Sequence, residues 1–213
     1  MSILSFDVGI RHLAFCHMTH DGWHEKSCKI LKWDVIDLGP VTSVEMCASR
    51  LMTELDARFA ELNVDVVLVE RQPKSRSIIM VAVQMFLCSY FSLRRLHGHV
   101  KDVKFISAQR KLGMASLPDE ISSLERETDA GKRYAANKKY AILVTRHYLE
   151  HVLGDFGNLV LLDMYPKKDD LCDSLLQGLA YIEGRGQCSR PKYVRKTRNN
   201  TNNMTKRTYK KNV

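Results

Sequence analysis

Short runs of apolar residues dominate the first half of the chain, and their length and alternation predict β-strands. Residues 65–70, with the sequence DVVLVE, place four consecutive apolar residues between two acids, a pattern typical of a strand buried on both faces. Asp21 and Gly22 form a favourable hairpin turn between two of these runs. Strands are predicted over residues 2–7, 13–18, 29–38, 65–70 and 102–108.

Apolar residues at helical spacing follow the third strand and recur through the second half of the chain. Thr42 or Ser43 can cap the first helix. Residues 75–96 are almost entirely apolar, so we expect this helix to be enclosed in the core. Residues 113–137 mix Gly, Pro, Ser and charged residues and are predicted to form an irregular insertion. Helices are predicted over residues 42–62, 75–96, 137–153 and 166–183.

The order of these elements predicts an α/β fold. Three strands joined by short turns favour antiparallel pairing, and the strand–helix–strand unit after them favours a right-handed parallel crossover. The expected architecture is a mixed five-stranded sheet, first antiparallel and then parallel, flanked by helices. We expect one domain over residues 1–184, followed by a basic tail over residues 185–213.

The net charge of +9 belongs to the end of the chain. Residues 184–213 contain ten Lys or Arg and no acid, which leaves 23 bases against 24 acids in residues 1–183. A segment so basic and so poor in apolar residues is predicted to be disordered when alone. It is typical of an arm that binds a polyanion, most simply nucleic acid, with Arg195, Lys196 and Arg198 as candidate contacts. A localisation or solubilising tail is the alternative.

Cysteine usage and the lack of targeting signals favour a cytosol-like setting. Six cysteines are scattered without a CxxC pair, which favours reduced thiols over a disulfide framework. We predict neither a signal peptide nor a membrane span, because Gln84 and two serines interrupt the longest apolar run, residues 78–93. No membrane partner is therefore expected.

Four carboxylates stand at the ends of predicted elements. Asp7 ends the first strand and Glu70 ends the fourth, so parallel pairing would bring both to the carboxyl edge where open α/β sheets bind ligands. Asp170 and Asp173, three residues apart, share one helix face. Four converging carboxylates repel one another unless cations neutralise them, and oxygen ligands favour Mg²⁺ or Mn²⁺ over Zn²⁺. Each acid has a simpler alternative as a turn residue, an exposed strand end or a helix cap.

Three segments give these acids a specific context. DVGIRHLAF, VLVERQP and KKDDLCDSLL resemble the acidic motifs of the RuvC-type Holliday junction resolvases, most closely the branch of poxviruses and other large DNA viruses, with kin in fungal mitochondria. The resemblance runs in order through residues 3–180. It implies an RNase H-like fold and a set of metal-binding catalytic acids, namely Asp7, Glu70, Asp170 and Asp173.

The resemblance also implies a functional lysine before the last helix. Lys138 and Lys139 are the nearest matches, and we select Lys139 as the catalytic lysine. Basic residues just past Glu70 are placed to meet DNA phosphates, and an ordinary solvated basic loop is the alternative. The candidate DNA contacts outside the tail are Arg71, Lys74, Arg76 and Lys138.

The function implied is a magnesium-dependent endodeoxyribonuclease that resolves four-way and other branched DNA by paired symmetric nicks. Two Mg²⁺ ions per active site are expected, with Mn²⁺ able to substitute. A four-way junction is two-fold symmetric, so paired nicks imply a homodimer. No nucleotide cofactor is expected, and a virus-encoded enzyme would act at the site of viral replication or in the virion.

Three other functions stay open at this point. The same fold could serve a nuclease for RNA–DNA hybrids or flaps. A sugar-kinase or chaperone-type ATPase also begins with a DxG hairpin, although 213 residues are short for its two domains. A non-catalytic nucleic-acid-binding protein would depend on the basic tail alone.

Overall fold

The computed structural model describes residues 1–21, 27–73, 77–107 and 130–184, with side chains from residue 135 onward in the last range. The Asp21–Gly22 turn lies partly outside the described residues. Residues 113–129 of the predicted insertion and the whole basic tail lie outside them as well.

A five-stranded mixed sheet forms the centre of the fold, in the order β3-β2-β1-β4-β5. β1 pairs antiparallel with β2 and parallel with β4, while β2–β3 is antiparallel and β4–β5 is parallel. The predicted architecture is therefore confirmed. The strands are β1 (Ser2–Asp7), β2 (Leu13–His20), β3 (Cys28–Ile36), β4 (Val64–Glu70) and β5 (Val100–Ile106).

Five α-helices flank this sheet within the described residues. Ser43 caps the first, since its hydroxyl accepts a hydrogen bond from Met46 N at 3.2 Å. A π-helical turn, Tyr148–Leu153, directly continues the third. The helices are α1 (Val44–Phe59), α2 (Ile78–Leu96), α3 (Ala130–His147), α4 (Phe156–Met164) and α5 (Lys168–Ile182).

Two helices differ from the sequence-based expectation. α3 begins at Ala130, so the last eight residues of the predicted insertion are helical. α4 was not predicted at all. Lys168 ties α4 to the start of α5, because its Nζ donates to the carbonyl oxygens of Leu162 and Asp163 at 3.2 and 2.7 Å.

The sheet separates two apolar cores. Alternation along β1 sends Ile3 to the core under α3–α5 and sends Leu4 and Phe6 to the core under α1 and α2. Phe6 contacts Phe91 of α2 with ring centroids 5.4 Å apart. β1 is thus buried on both faces, as a central strand of a helix-covered sheet must be.

α2 is an outer helix, and the expectation that it is enclosed in the core was wrong. Val83, Leu87 and Phe91 pack inward, whereas Ile78 is 75% exposed and Leu96 is 82% exposed. By length and composition, α2 is the one described helix that could cross a membrane. Its inward residues belong to the core beside the sheet, so we assign it to the domain.

Candidate active site

Asp7 and Glu70 end neighbouring strands at the same edge of the sheet. β1 and β4 run parallel, and their register pairs Phe6 with Val69. The next residue on each strand is the acid, so Asp7 and Glu70 lie side by side at the ends of the two strands. The predicted convergence at the carboxyl edge therefore holds for these two residues.

The same two acids also share a face of the sheet. Asp7 lies two residues after Ser5 and therefore on the same face of the sheet. The Cβ atom of Ser5 lies 3.7 Å from the position that a Cβ atom would take at Gly178 of α5. Glu70 lies two residues after Leu68 and on the same face, and Leu68 belongs to the core under α3–α5. Both carboxylates therefore lie on the α5 side, and Asp7 is only 8% exposed.

α5 crosses this face with its first turns toward the acidic edge. The amide of Gln177 donates to Phe6 O at 3.2 Å, just before Asp7 in β1. Asp173 lies one turn nearer the start of the helix, on the same side as Gln177. This arrangement directs Asp173 toward the corner that holds Asp7 and Glu70.

The edge strand holds α5 at a second place. The indole Nε1 of Trp33 in β3 lies 2.9 Å from Leu171 O and 3.1 Å from Ser174 Oγ, so it can donate to either oxygen. Leu171 follows Asp170 directly and Ser174 follows Asp173 directly along the helix. The two acids are therefore carried by a backbone that is bonded both to the centre and to the edge of the sheet.

Lysines neutralise acids in the first turn of α5. Lys167 Nζ lies 2.8 Å from Asp170 Oδ2, and Lys138 Nζ, from α3, lies 2.6 Å from Asp169 Oδ2. Lys139, the next residue of α3, is exposed. Adjacent residues on a helix point about 100° apart, so only one of them can face α5. The structure places Lys138 beside the acidic corner.

The turn after Glu70 holds that residue and Arg71 in defined positions. The amide of Gln72 donates to Glu70 Oε2 at 3.0 Å. Arg71 N donates to Ile106 O at 2.7 Å, and its guanidinium lies 6.0 Å from the ring centre of Phe105. Arg71 therefore carries its charge at the same edge as Glu70.

The remaining predicted DNA contacts lie outside the described residues. They are Lys74, Arg76, Arg195, Lys196 and Arg198.

The oxygen donors of this corner fit a hard divalent cation. Asp170 Oδ2 is buried and forms an ion pair with the Lys167 ammonium at 2.8 Å. Within the parts of the chain that the structure describes, no three His, Cys, Asp or Glu side chains already form a metal-binding group. The structure places Asp7 and Glu70 at one edge of the sheet, and α5 crosses the same face.

A cysteine in the same helix does not contribute a nucleophile. Burial raises the pKa of the Cys172 thiol to about 12, with a weaker opposing effect from Thr145. At neutral pH this thiol is protonated, and only a thiolate is strongly nucleophilic.

Two solved structures resemble this chain over most of its length. The fowlpox virus resolvase, solved with substrate Holliday junction DNA, is 18% identical and aligns over 86% of this chain and 98% of its own, with a TM-score of 0.58. The yeast mitochondrial Holliday junction resolvase Ydc2 is 16% identical and aligns over 86% of this chain and 79% of its own, with a TM-score of 0.55. The chain has the RNase H-like fold of the Holliday junction resolvases. The fold implied by the motif resemblance is confirmed.

A sequence relative comes from a large DNA virus, in agreement with the viral branch that the motifs resemble. An uncharacterized protein of Acanthamoeba polyphaga mimivirus is 26% identical over an alignment of 164 residues that covers 75% of this chain. The matched region spans only 39% of that viral protein. No protein-family model matches the chain.

Sequence reasoning missed two residues of this corner. Asp169, next to the candidate ligand Asp170, pairs with Lys138 across 31 positions of the chain. No local signal identifies such a contact. Gln72 bonds Glu70 from two residues away, and its place inside the VLVERQP motif, between Glu70 and Pro73, was the available signal.

Proposed function

We propose that this protein is a divalent-metal-dependent endonuclease that cleaves branched DNA, with the four-way junction as its preferred substrate. The observation that carries the proposal is the shared edge and face of Asp7 and Glu70, with α5 bringing Asp173 toward them. The fowlpox resolvase, which has the same fold, was solved with substrate junction DNA.

The four acids would hold the metal, and the lysines would serve the DNA. Asp7, Glu70, Asp170 and Asp173 supply the oxygen ligands that Mg²⁺ prefers. Mg²⁺, when bound, polarises the phosphodiester and lowers the pKa of a water. Lys138 stands at the rim of this corner, where an ammonium group offsets the charge that develops on a phosphate during cleavage.

A substrate panel tests the proposal. We expect the full chain to nick a synthetic four-way junction at symmetric positions in Mg²⁺ or Mn²⁺, and not in EDTA. A linear duplex of the same sequence should stay intact. Equal cleavage of an RNA–DNA hybrid would identify a different nuclease of this fold, and cleavage of no substrate would leave a DNA-binding role.

The exposed face of α2 supports a homodimer. Ile78, Met85 and Leu96 project from one side of the helix, with the small residues Ser89 and Ser92 between them. Successive members of this set are three, four or seven residues apart, so they form one continuous stripe along the helix. A second copy of α2 would bury this stripe, and it would give the two active sites that a two-fold symmetric junction needs.

A charged residue in the stripe should separate the two copies. Met85→Glu is expected to weaken dimerisation at least about 30-fold, the effect of losing about 2 kcal/mol at an interface. Sedimentation velocity over a concentration series measures this change. Met46→Glu, on exposed α1, is the matched control and should behave as wild type. An unchanged sedimentation profile for Met85→Glu would place the dimer contact elsewhere.

The basic tail should contribute affinity through phosphate contacts. Deleting residues 185–213 removes ten positive charges. The logarithm of affinity falls with the logarithm of salt concentration, and each lost phosphate contact makes this fall shallower by about 0.9. We therefore expect weaker junction binding with a distinctly shallower salt dependence, measured by fluorescence anisotropy. A full-length variant with Arg195, Lys196 and Arg198 replaced by Gln should show a smaller change. An identical slope after deletion would exclude contact between the tail and DNA.

A further inference from the structure

Gln84 is a buried amide on an otherwise apolar stretch of α2. Its neighbours Val83 and Leu87 are fully buried, and Gln84 itself is only 9% exposed. Burying an amide in apolar surroundings is unfavourable unless it forms hydrogen bonds. Gln84 Oε1 accepts one from the backbone N of Gln72, at 2.5 Å. The buried side chain is thus used to hold a turn that lies beyond its own helix.

The turn that Gln84 holds carries a second glutamine toward the candidate site. Gln72 N is bonded to Gln84, while the side-chain Nε2 of Gln72 donates to Glu70 Oε2 at 3.0 Å. A continuous chain of hydrogen bonds therefore runs from the interior of α2 to the carboxylate at the end of β4. It connects the α2 side of the sheet with the α5 side.

Two further features fix the turn itself. Arg71 N donates to Ile106 O at 2.7 Å, which extends the pairing of β4 with β5 by one residue. Pro73 follows Gln72 and restricts its backbone to extended conformations. With bonds on either side, Gln72 has little freedom to move relative to the sheet edge.

A neutral amide suits the orientation of a metal-binding carboxylate. Asp169 and Asp170 face lysines, whose positive charges compete with a cation for the same oxygens. The amide of Gln72 carries no charge, so its hydrogen bond orients Glu70 without itself competing with a cation, and a carboxylate oxygen can accept a hydrogen bond and still bind a cation. Groups that fix a metal ligand in this way typically change metal affinity 10- to 100-fold when removed.

We propose that Gln72 and Gln84 are positioning residues that hold the Glu70 carboxylate in its metal-binding orientation. Gln72 acts directly on the carboxylate, and Gln84 acts through the backbone of Gln72. The proposal rests on the proposed function, because it assigns Glu70 as a metal ligand.

The test removes each hydrogen bond with a side chain of similar shape. Gln72→Met in the full chain should weaken Mn²⁺ binding, measured by calorimetry without DNA, about tenfold or more. The Mg²⁺ concentration for half-maximal junction cleavage should rise in parallel. Junction binding in EDTA should stay unchanged, and the Tm should move by no more than about 2 °C, as for a surface substitution.

Gln84→Met should shift metal binding in the same direction and also lower the Tm, because it leaves Gln72 N unpaired. The double variant should bind Mn²⁺ with the same affinity as whichever single variant binds it more weakly. The two effects should not add, because both substitutions interrupt the same series of hydrogen bonds. Cys88→Ala, one turn further along α2, is the control and should retain wild-type Mn²⁺ affinity.

The outcomes separate this inference from the proposed function. Wild-type protein that binds Mn²⁺ and cleaves junctions, together with a Gln72→Met variant of unchanged metal affinity, would overturn the positioning role alone. Loss of metal affinity that follows Tm in every variant, including Cys88→Ala, would reduce both glutamines to a structural role. Wild-type protein that neither binds Mn²⁺ nor cleaves any branched DNA would overturn both proposals.

Discussion

Asp173→Asn is expected to lower junction cleavage on the order of a thousandfold, because a metal-stabilised transition state loses several kcal/mol when a ligand is removed. Junction binding in EDTA should stay within about threefold of wild type, since the substitution leaves every phosphate-contacting cation in place. The side chain keeps its size, and α5 keeps its bonds to Trp33 and Phe6. Gel-based cleavage in Mg²⁺ and anisotropy in EDTA measure the two effects.

The control for Asp173→Asn is Asp56→Asn, on the exposed surface of α1. Asn keeps the side-chain oxygen that accepts from Tyr90 OH, and the site lies on the other face of the sheet. This variant should cleave as wild type does. If Asp173→Asn keeps more than about a tenth of wild-type cleavage activity, Asp173 is not a metal ligand that stabilises the transition state by several kcal/mol.

The second large effect is expected at Lys138. Lys138→Ala should reduce the single-turnover cleavage rate about 100-fold, the usual effect of losing one electrostatic contact to the reacting group. Lys139→Ala should change it less than about threefold, because Lys139 is exposed and away from α5. The pair is its own matched control, with the same residue type on the same helix. Rates at saturating Mg²⁺ and saturating enzyme isolate this step.

Two results would revise the assignment of Lys138. A larger loss for Lys139→Ala would restore the lysine selected from the sequence. Equal losses for Lys138→Ala and Asp169→Asn, each with a lower Tm, would make the ion pair structural.

Strand positions were predictable from the sequence because each strand has a short-range signal. Residues 65–70 alternate into both cores and form β4, and Ser43 caps α1 as its side chain predicts. The placement of Asp7 and Glu70 followed from this, since parallel strands end at one edge. Side chains alternate between the two faces along each strand, so the pairing of the two strands decides that Asp7 and Glu70 lie on the same face.

Features that depend on tertiary packing were not predictable. The apolar composition of α2 predicts burial on every side, whereas the fold uses only one side of it. The choice between Lys138 and Lys139 is a rotation of about 100°, which is decided by the position of α5 and not by local sequence. α4, with nine residues and the apolar Phe156, Val160 and Met164 facing outward, lacks the amphipathic pattern by which a helix is recognised.

The indole of Trp33 bonds directly to α5 at Leu171 and Ser174, next to Asp170 and Asp173, so its fluorescence emission is a built-in optical probe of that helix. Indole emission responds to changes in hydrogen bonding and in nearby charge. The second tryptophan, Trp23, can be replaced by Phe to isolate the signal. Stopped-flow traces of the remaining emission would then time the arrival of metal and DNA without any attached dye.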